Sequence, residues 1–188
     1  MRDADVRAAL HATELARYEG DPHTRIIDEL GIHRGEFRID VAVVNGALHG
    51  YELKSARDTL SRLPAQAAAY STVFDQVTLV AAECHLWRAA EIVPTWWGLC
   101  VAVPGTGGVH LLDERAGVGN PAVDAYSVAQ LLWRAEALEL LEQHGAARGV
   151  RSRPAPYVWA ALAERLELPT LRTAVREVLK TRTEWRQG

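Results

Sequence analysis

The sequence predicts an α/β protein: a mixed β-sheet core flanked by helices over residues 1–125, then a helical C-terminal extension over residues 126–188. Three observations carry this. Runs of strand character, "EFRIDVAVV", "ALHGYELKS" and "DQVTLVAA", lie either side of an Ala-rich helical stretch, the connection a parallel pair needs. Asn45-Gly46 between the first two runs is a hairpin signal. Past Pro121 strand-like runs cease and longer helical stretches follow.

Taken in order, Asp3 to Tyr18 has Val6, Leu10 and Leu15 among alanines and reads as a helix stopped by Gly20. His23 to Leu30 reads as a second helix, begun after Asp21-Pro22 and ended by Gly31. Strands are expected at Glu36–Val44 and Ala47–Ser55. Leu63–Thr72 is expected as a helix with Pro64 in its first turn, Asp75–Ala82 as a buried strand, and Cys84–Ala90 as a short helix. Trp97–Val103 and Val109–Asp113 read as strands across "PGTGG". Val128–His144, Tyr157–Leu166 and Thr170–Thr181 read as the C-terminal helices.

Composition narrows the function classes. The chain has 188 residues, 48% apolar and 24% charged, an ordinary globular balance. No apolar run approaches the roughly 18–20 residues of a membrane helix, and the N-terminus has no signal-peptide core, so a cytoplasmic protein without membrane association is expected. Cys84 and Cys100 have no CxxC spacing, which argues against a zinc site or a disulfide framework. A net charge of −3 argues against non-specific coating of nucleic acid. The balance is uneven, −6 over residues 1–129 and +3 over residues 130–188.

The hairpin holds the informative charges. A two-residue turn would pair Val44 with Ala47 and send Asp40 and Glu52 to opposite sides of the sheet. A three-residue loop pairs Val44 with Leu48 and sets Asp40 across from Glu52. The second register separates apolar from charged residues better, and it is the one expected. It places Ile39, Val41, Val43, His49, Tyr51 and Leu53 on one face, and Arg38, Asp40, Ala42, Val44, Leu48, Gly50, Glu52 and Lys54 on the other. Opposed carboxylates repel, and a cation between them removes that cost. Mg²⁺ takes one or two carboxylates and keeps several waters. Lys54, on the side of Glu52, is placed to orient a water and to stabilise charge developing on a phosphate.

"RID" at 38–40 followed by "ELK" at 52–54 resembles the motif of the PD-(D/E)XK nuclease superfamily, with Ile39 where the pattern often has Pro. Gln66-Ala-Ala-Ala-Tyr70 is similar to the QxxxY motif of its RecB-like and Cas4-like members. The resemblance covers roughly residues 20–110 and looks closest to an uncharacterised bacterial group. It implies a restriction-endonuclease-like fold and Mg²⁺- or Mn²⁺-dependent hydrolysis of DNA phosphodiesters, in repair or phage defence. Asp40 and Glu52 would be metal ligands, with the Leu53 carbonyl as a further one. Glu29, expected on the helix before the hairpin, would be the third carboxylate, with His23 or His33 as alternatives. Lys54 would position the attacking water, Gln66 would orient the lysine or a phosphate, and Tyr70 would face the nucleic acid. A homodimer, or a protein partner in a repair or defence assembly, is compatible with the resemblance.

Plainer readings stand beside these. Asp40 and Glu52 are also what an edge strand uses to deter sheet pairing, with Lys54 as their ion-pair partner. Asp58 and Arg62 suit a surface ion pair or a helix cap, and most of the tryptophans suit the core. The last two helices, joined across "LELP", resemble a helix-turn-helix, and Arg172, Arg176 and Lys180 form one stripe suited to phosphates, with Arg182 and Arg186 following. A helical cap is the favoured alternative, because Glu164, Glu167 and Glu177 dilute the charge. The rival function is a catalytically silent module that binds nucleic acid or protein on a nuclease-like fold.

Overall fold

The computed structural model describes residues 1–183 and 185. Helix α1 (Asp3–Ala12) precedes strands β1 (Arg25–Ile32), β2 (Phe37–Val44) and β3 (Leu48–Lys54). Helix α2 (Leu63–Ser71), strand β4 (Gln76–Ala82), helix α3 (Glu83–Ile92) and strands β5 (Gly98–Gly105) and β6 (Gly108–Arg115) follow. Helices α4 (Ala125–Ala129), α5 (Arg134–Gln143), α6 (Ala155–Arg165) and α7 (Leu168–Thr181) complete the order. The six strands form one mixed sheet in the order β1-β2-β3-β4-β5-β6, with β3–β4 and β4–β5 parallel and the other pairs antiparallel. The two parallel steps are the ones spanned by α2 and α3. The expected mixed α/β class is what the chain adopts.

Three elements differ: the N-terminal helix ends at Ala12 and not at Tyr18, and two further stretches depart more fully. The stretch "RIIDELGI", expected as a helix, is strand β1, paired along its length with β2. Its inward residues are Ile27, Leu30 and Ile32. Glu29 between them has φ +57°, so the alternation slips by one residue there. The resulting spacing of three mimics a helical period. The stretch expected as one helix from Val128 to His144 is also two, because the chain leaves α4 and re-enters α5 at Arg134.

The sheet is covered on both faces. Val6, Leu10 and Leu15 of the N-terminal segment pack against Val41, Val43, Tyr51 and Leu53. The opposite face carries the larger core, where Leu63 and Tyr70 of α2 and Ala89 of α3 meet Ala42, Val44 and Leu79. The C-terminal helices share that core through Val128, Leu132, Leu162, Leu171 and Val175. At about 25 cal/mol per Å² of apolar surface, each such buried leucine contributes roughly 1.5–3 kcal/mol, so this cover is integral to the fold. Among the described residues no helix is long and apolar enough to cross a membrane.

Candidate functional site

The hairpin has the expected register. Val44 pairs with Leu48, Val43 with His49, Ala42 with Gly50 and Val41 with Tyr51, across a three-residue loop. Within that loop the Asn45 backbone N–H donates to the Ala47 carbonyl, and the Ala47 N–H donates back to the Asn45 side chain. Beyond Val41 and Tyr51 the main chains stop pairing. There the Asp40 carboxylate takes over as the ladder partner of β3, accepting the Leu53 N–H at 2.7 Å.

The slip at Glu29 has a counterpart in β2. Ile39 lies in the larger core with Ala42 and Val44, not with Val41 and Val43 as expected from strict alternation. A Cβ on Gly50 would come within 2.4 Å of Ile39 Cδ1, which places the Ile39 side chain over that glycine. Glu29 and Asp40 are therefore the two residues at which paired strands change phase, and both carboxylates emerge there. A like irregularity often sits beside a functional site and re-aims a side chain.

Glu52 and Lys54 follow on the α2 side of β3. Glu52 is 1% exposed, yet its carboxylate is well served. Its Oε1 accepts from Lys54 Nζ at 2.6 Å and from Gln66 Nε2 at 2.7 Å. Its Oε2 lies 2.9 Å from the Tyr70 hydroxyl, which is also 2.7 Å from the Arg38 carbonyl. The four-residue spacing of Gln66 and Tyr70 on α2 brings both onto one carboxylate. Asp58 accepts from the Ser55 N–H and hydroxyl, shaping the loop just past Lys54.

Asp40, Glu52, Leu53, Lys54, Gln66 and Glu29 all line one cavity of about 360 Å³, with Arg38, Asp58 and Arg62 at its wall. Burial, and then the charge of Glu52, push the Asp40 carboxyl up to about 7. Burial likewise raises Glu52, against the lowering pull of Lys54, Tyr70 and Gln66. Asp40 and Glu52 line the same cavity, and carboxylate oxygens are the donors a hard dication takes. Glu29 does not complete a triad. It lies on a strand, and among the described residues no group of three or more His, Cys, Asp or Glu side chains is arranged to hold a metal.

What holds Glu29 is Arg7 of α1, a residue sequence reasoning missed. Its guanidinium donates to Glu29 Oε1 at 2.7 Å, to Asp40 Oδ1 at 3.2 Å and to the Asp40 carbonyl at 2.7 Å. Burial pulls the Arg7 guanidinium down, but the carboxylates of Asp40, Asp3, Glu29 and Asp28 outweigh it and hold it above its usual range. These partners lie up to 33 residues away, and no local pattern marks the arginine.

Other expected contacts fall elsewhere. Tyr70 is fully buried, so it braces Glu52 and is out of reach of a nucleic acid. His33 bonds the Thr72 hydroxyl at 3.0 Å, and His23 is exposed; neither lines the cavity. The stripe on α7 points back at the sheet: Arg172 and Arg176 both pair with buried Asp75, which also accepts the Leu48 N–H. Lys180 pairs with Glu177 at 2.7 Å. Arg172 and Arg176 therefore tie α7 to the residue before β4, while Lys180 is paired within its own helix. Arg186 lies outside the described residues.

A family model described as bacteriophage P4 protein cII matches residues 2–187. A curated relative, protein cII of enterobacteria phage P4, is 27% identical over 120 residues, 64% of this chain. The aligned region is 46% of that relative, so the chain spans about half its length. A solved structure of a protein of unknown function from Silicibacter pomeroyi is 16% identical, with a TM-score of 0.48, covering 82% of this chain and 96% of that one.

Proposed function

The chain belongs to the bacteriophage P4 protein cII family, and from the site built above we propose that it is a metal-dependent nuclease that hydrolyses DNA phosphodiester bonds in the cytoplasm. The observation that carries this reading is the meeting of Asp40, Glu52, Lys54 and Gln66 in one polar cavity at the splayed end of a hairpin. The resemblance of "RID", "ELK" and QxxxY to PD-(D/E)XK nucleases supports it.

In this reading Asp40 and Glu52 hold Mg²⁺ or Mn²⁺. An ion held there would supply Lewis-acid stabilisation of a phosphoryl oxygen and acidify water at the site. The remaining work belongs to the chain. Lys54 places an ammonium beside Glu52, where it orients the attacking water and offsets charge gathering on the phosphate. Gln66 and Tyr70 fix the Glu52 carboxylate and leave the lysine one geometry to adopt. The test is Lys54→Met, which keeps the apolar stem. DNA cleavage in Mg²⁺ should fall by roughly 10²-fold or more, while Mn²⁺ binding by calorimetry persists. Cleavage at the parent rate would overturn the mechanism.

One observation favours a second reading, a catalytically silent module that binds nucleic acid or protein. The Arg7 guanidinium already spans Glu29 and Asp40, supplying from within the chain the positive charge a metal would bring. That reading requires no heat of Mn²⁺ binding in the parent and no difference on Asp40→Asn.

A further inference from the structure

Building on the nuclease reading, we propose that the cleft between edge strand β1 and the C-terminal helices is a binding track for single-stranded DNA that leads into the acidic cavity. The cleft is a cavity of about 890 Å³ with Arg25, Arg34, Arg38, Arg134 and Arg182 in its wall and, among the described residues, only Asp28 and Glu29 against them. In a chain of net charge −3 that local excess is pointed. It adjoins the acidic cavity directly, for Glu29, Gly35 and Arg38 line both.

The arginines divide by task. Arg134 is committed to the Arg151 and Arg153 carbonyls, and Arg182 to Glu136 and the Leu131 carbonyl. Arg182 also lies over the Trp133 and Trp185 rings, and Arg25 lies over Trp185 as well. These residues build a rigid, π-rich, cationic wall. Arg34 and Arg38 are different. Both are exposed, Arg34 makes no hydrogen bond or ion pair among the described residues, and Arg38 reaches only Glu29, at 3.8 Å.

The backbone marks the same place. Among the described residues the non-glycine positions with positive φ are Glu29, His33 and Arg34, of which Glu29 lines both cavities and Arg34 the larger one. His33, Arg34 and Gly35 run at φ +48°, +63° and +90° in succession. Conformations this rare persist where the surroundings demand them and gather at binding sites. Here they hold Arg34 out at the mouth of the cleft.

Guanidinium groups facing a phosphate chain beside stacked π surfaces are the chemistry of single-strand grooves. The volume lies within the range of about 300–1,000 Å³ typical of pockets for small ligands, room for bases and phosphates of a single strand.

The test is fluorescence anisotropy with a labelled oligo-dT of about 16 nucleotides and a duplex of equal length, in EDTA so that nothing is cut. The parent should bind the single strand more tightly than the duplex. Arg34→Ala/Arg38→Ala should weaken single-strand binding about tenfold and lower the salt slope by about 1.4, two contacts at about 0.7 each. Arg88→Ala, on the exposed side of α3 and lining neither cavity, should bind as the parent does. Unchanged affinity in the double variant, or equal binding of duplex and single strand, overturns the track. Failure of the nuclease reading is visible separately, as a parent that binds the oligonucleotide and never cuts it in Mg²⁺.

Discussion

Removing the charge of Asp40 should stabilise the protein at alkaline pH, and the structure says by roughly how much. The carboxyl is pushed from its ordinary 3.8 up to about 7, first by burial and then by Glu52. Between those two values the folded chain keeps a proton that the unfolded chain has released. Stability therefore falls as pH rises through about 4 to 7 and is level above it. Roughly three decades of acidity at about 1.4 kcal/mol each give a ceiling of about 4 kcal/mol. Because the buried amide of the variant is itself desolvated, Asp40→Asn should recover about half, or about 2 kcal/mol at pH 8. The amide oxygen can still accept the Leu53 N–H, and Arg7 keeps Glu29 and Asp28. For a chain of this size about 2 kcal/mol corresponds to about 4–8 °C in Tm. Thermal melts of parent and variant from pH 4.5 to 8.5 should start close together and diverge toward pH 8, the variant higher. Added Mg²⁺ at pH 8 should then raise the parent's Tm and leave the variant's in place. Parallel curves, or a variant that melts below the parent at pH 8, would refute the argument that two repelling acids are held together here.

Three further outcomes follow from the same geometry. Arg7→Ala should tighten Mn²⁺ binding measured by calorimetry, because it frees an Asp40 oxygen that the guanidinium occupies; weaker binding would mean Arg7 organises the site instead of competing for it. Gly50→Ala should cost about 1–3 kcal/mol in urea unfolding, since the added Cβ would meet Ile39 at 2.4 Å and Phe74 at 3.1 Å; an unchanged midpoint would show that Ile39 is free to move aside. Asp75→Ala should cost about 3 kcal/mol or more in the same assay, because it strips Arg172, Arg176 and the Leu48 N–H of one shared acceptor. A loss below about 1 kcal/mol would mean those pairs behave as surface contacts.

The hairpin was legible because its information is local. The loop length follows from which register segregates charge, and Val44 opposite Leu48 then fixes where Glu52 and Lys54 stand. The spacing of Gln66 and Tyr70 was legible for the same reason, although not its purpose: Tyr70 is sealed beneath Glu52, and period alone does not tell a buried brace from an exposed contact. Strand β1 was misread because the irregular backbone at Glu29 turns a two-residue alternation into a spacing of three. The α7 stripe was visible as a pattern, but its direction depends on Asp75, about a hundred residues earlier in the chain. Arg7 left no sequence signal, since its partners converge only once α1 lies across the sheet.

The misreadings at Glu29 and Arg7 share a location. Glu29 and Asp40, both held by Arg7, line one cavity, where the fold departs from regular alternation, gathers acids and holds Glu29 at positive φ. A sheet selected only for stability would put an apolar residue at position 40 and let the main chains pair to their ends. Instead the chain gives up ladder bonds past Val41, substitutes a carboxylate for them, and holds that carboxylate partly protonated near neutrality. Local departures from good folding that gather at one cavity are where sequence rules should fail if the residues serve a ligand. The lysine beside Glu52 sharpens the point: an ion pair kept this far from solvent is a weak source of stability. Its placement is better explained by what enters the cavity than by what holds the sheet together.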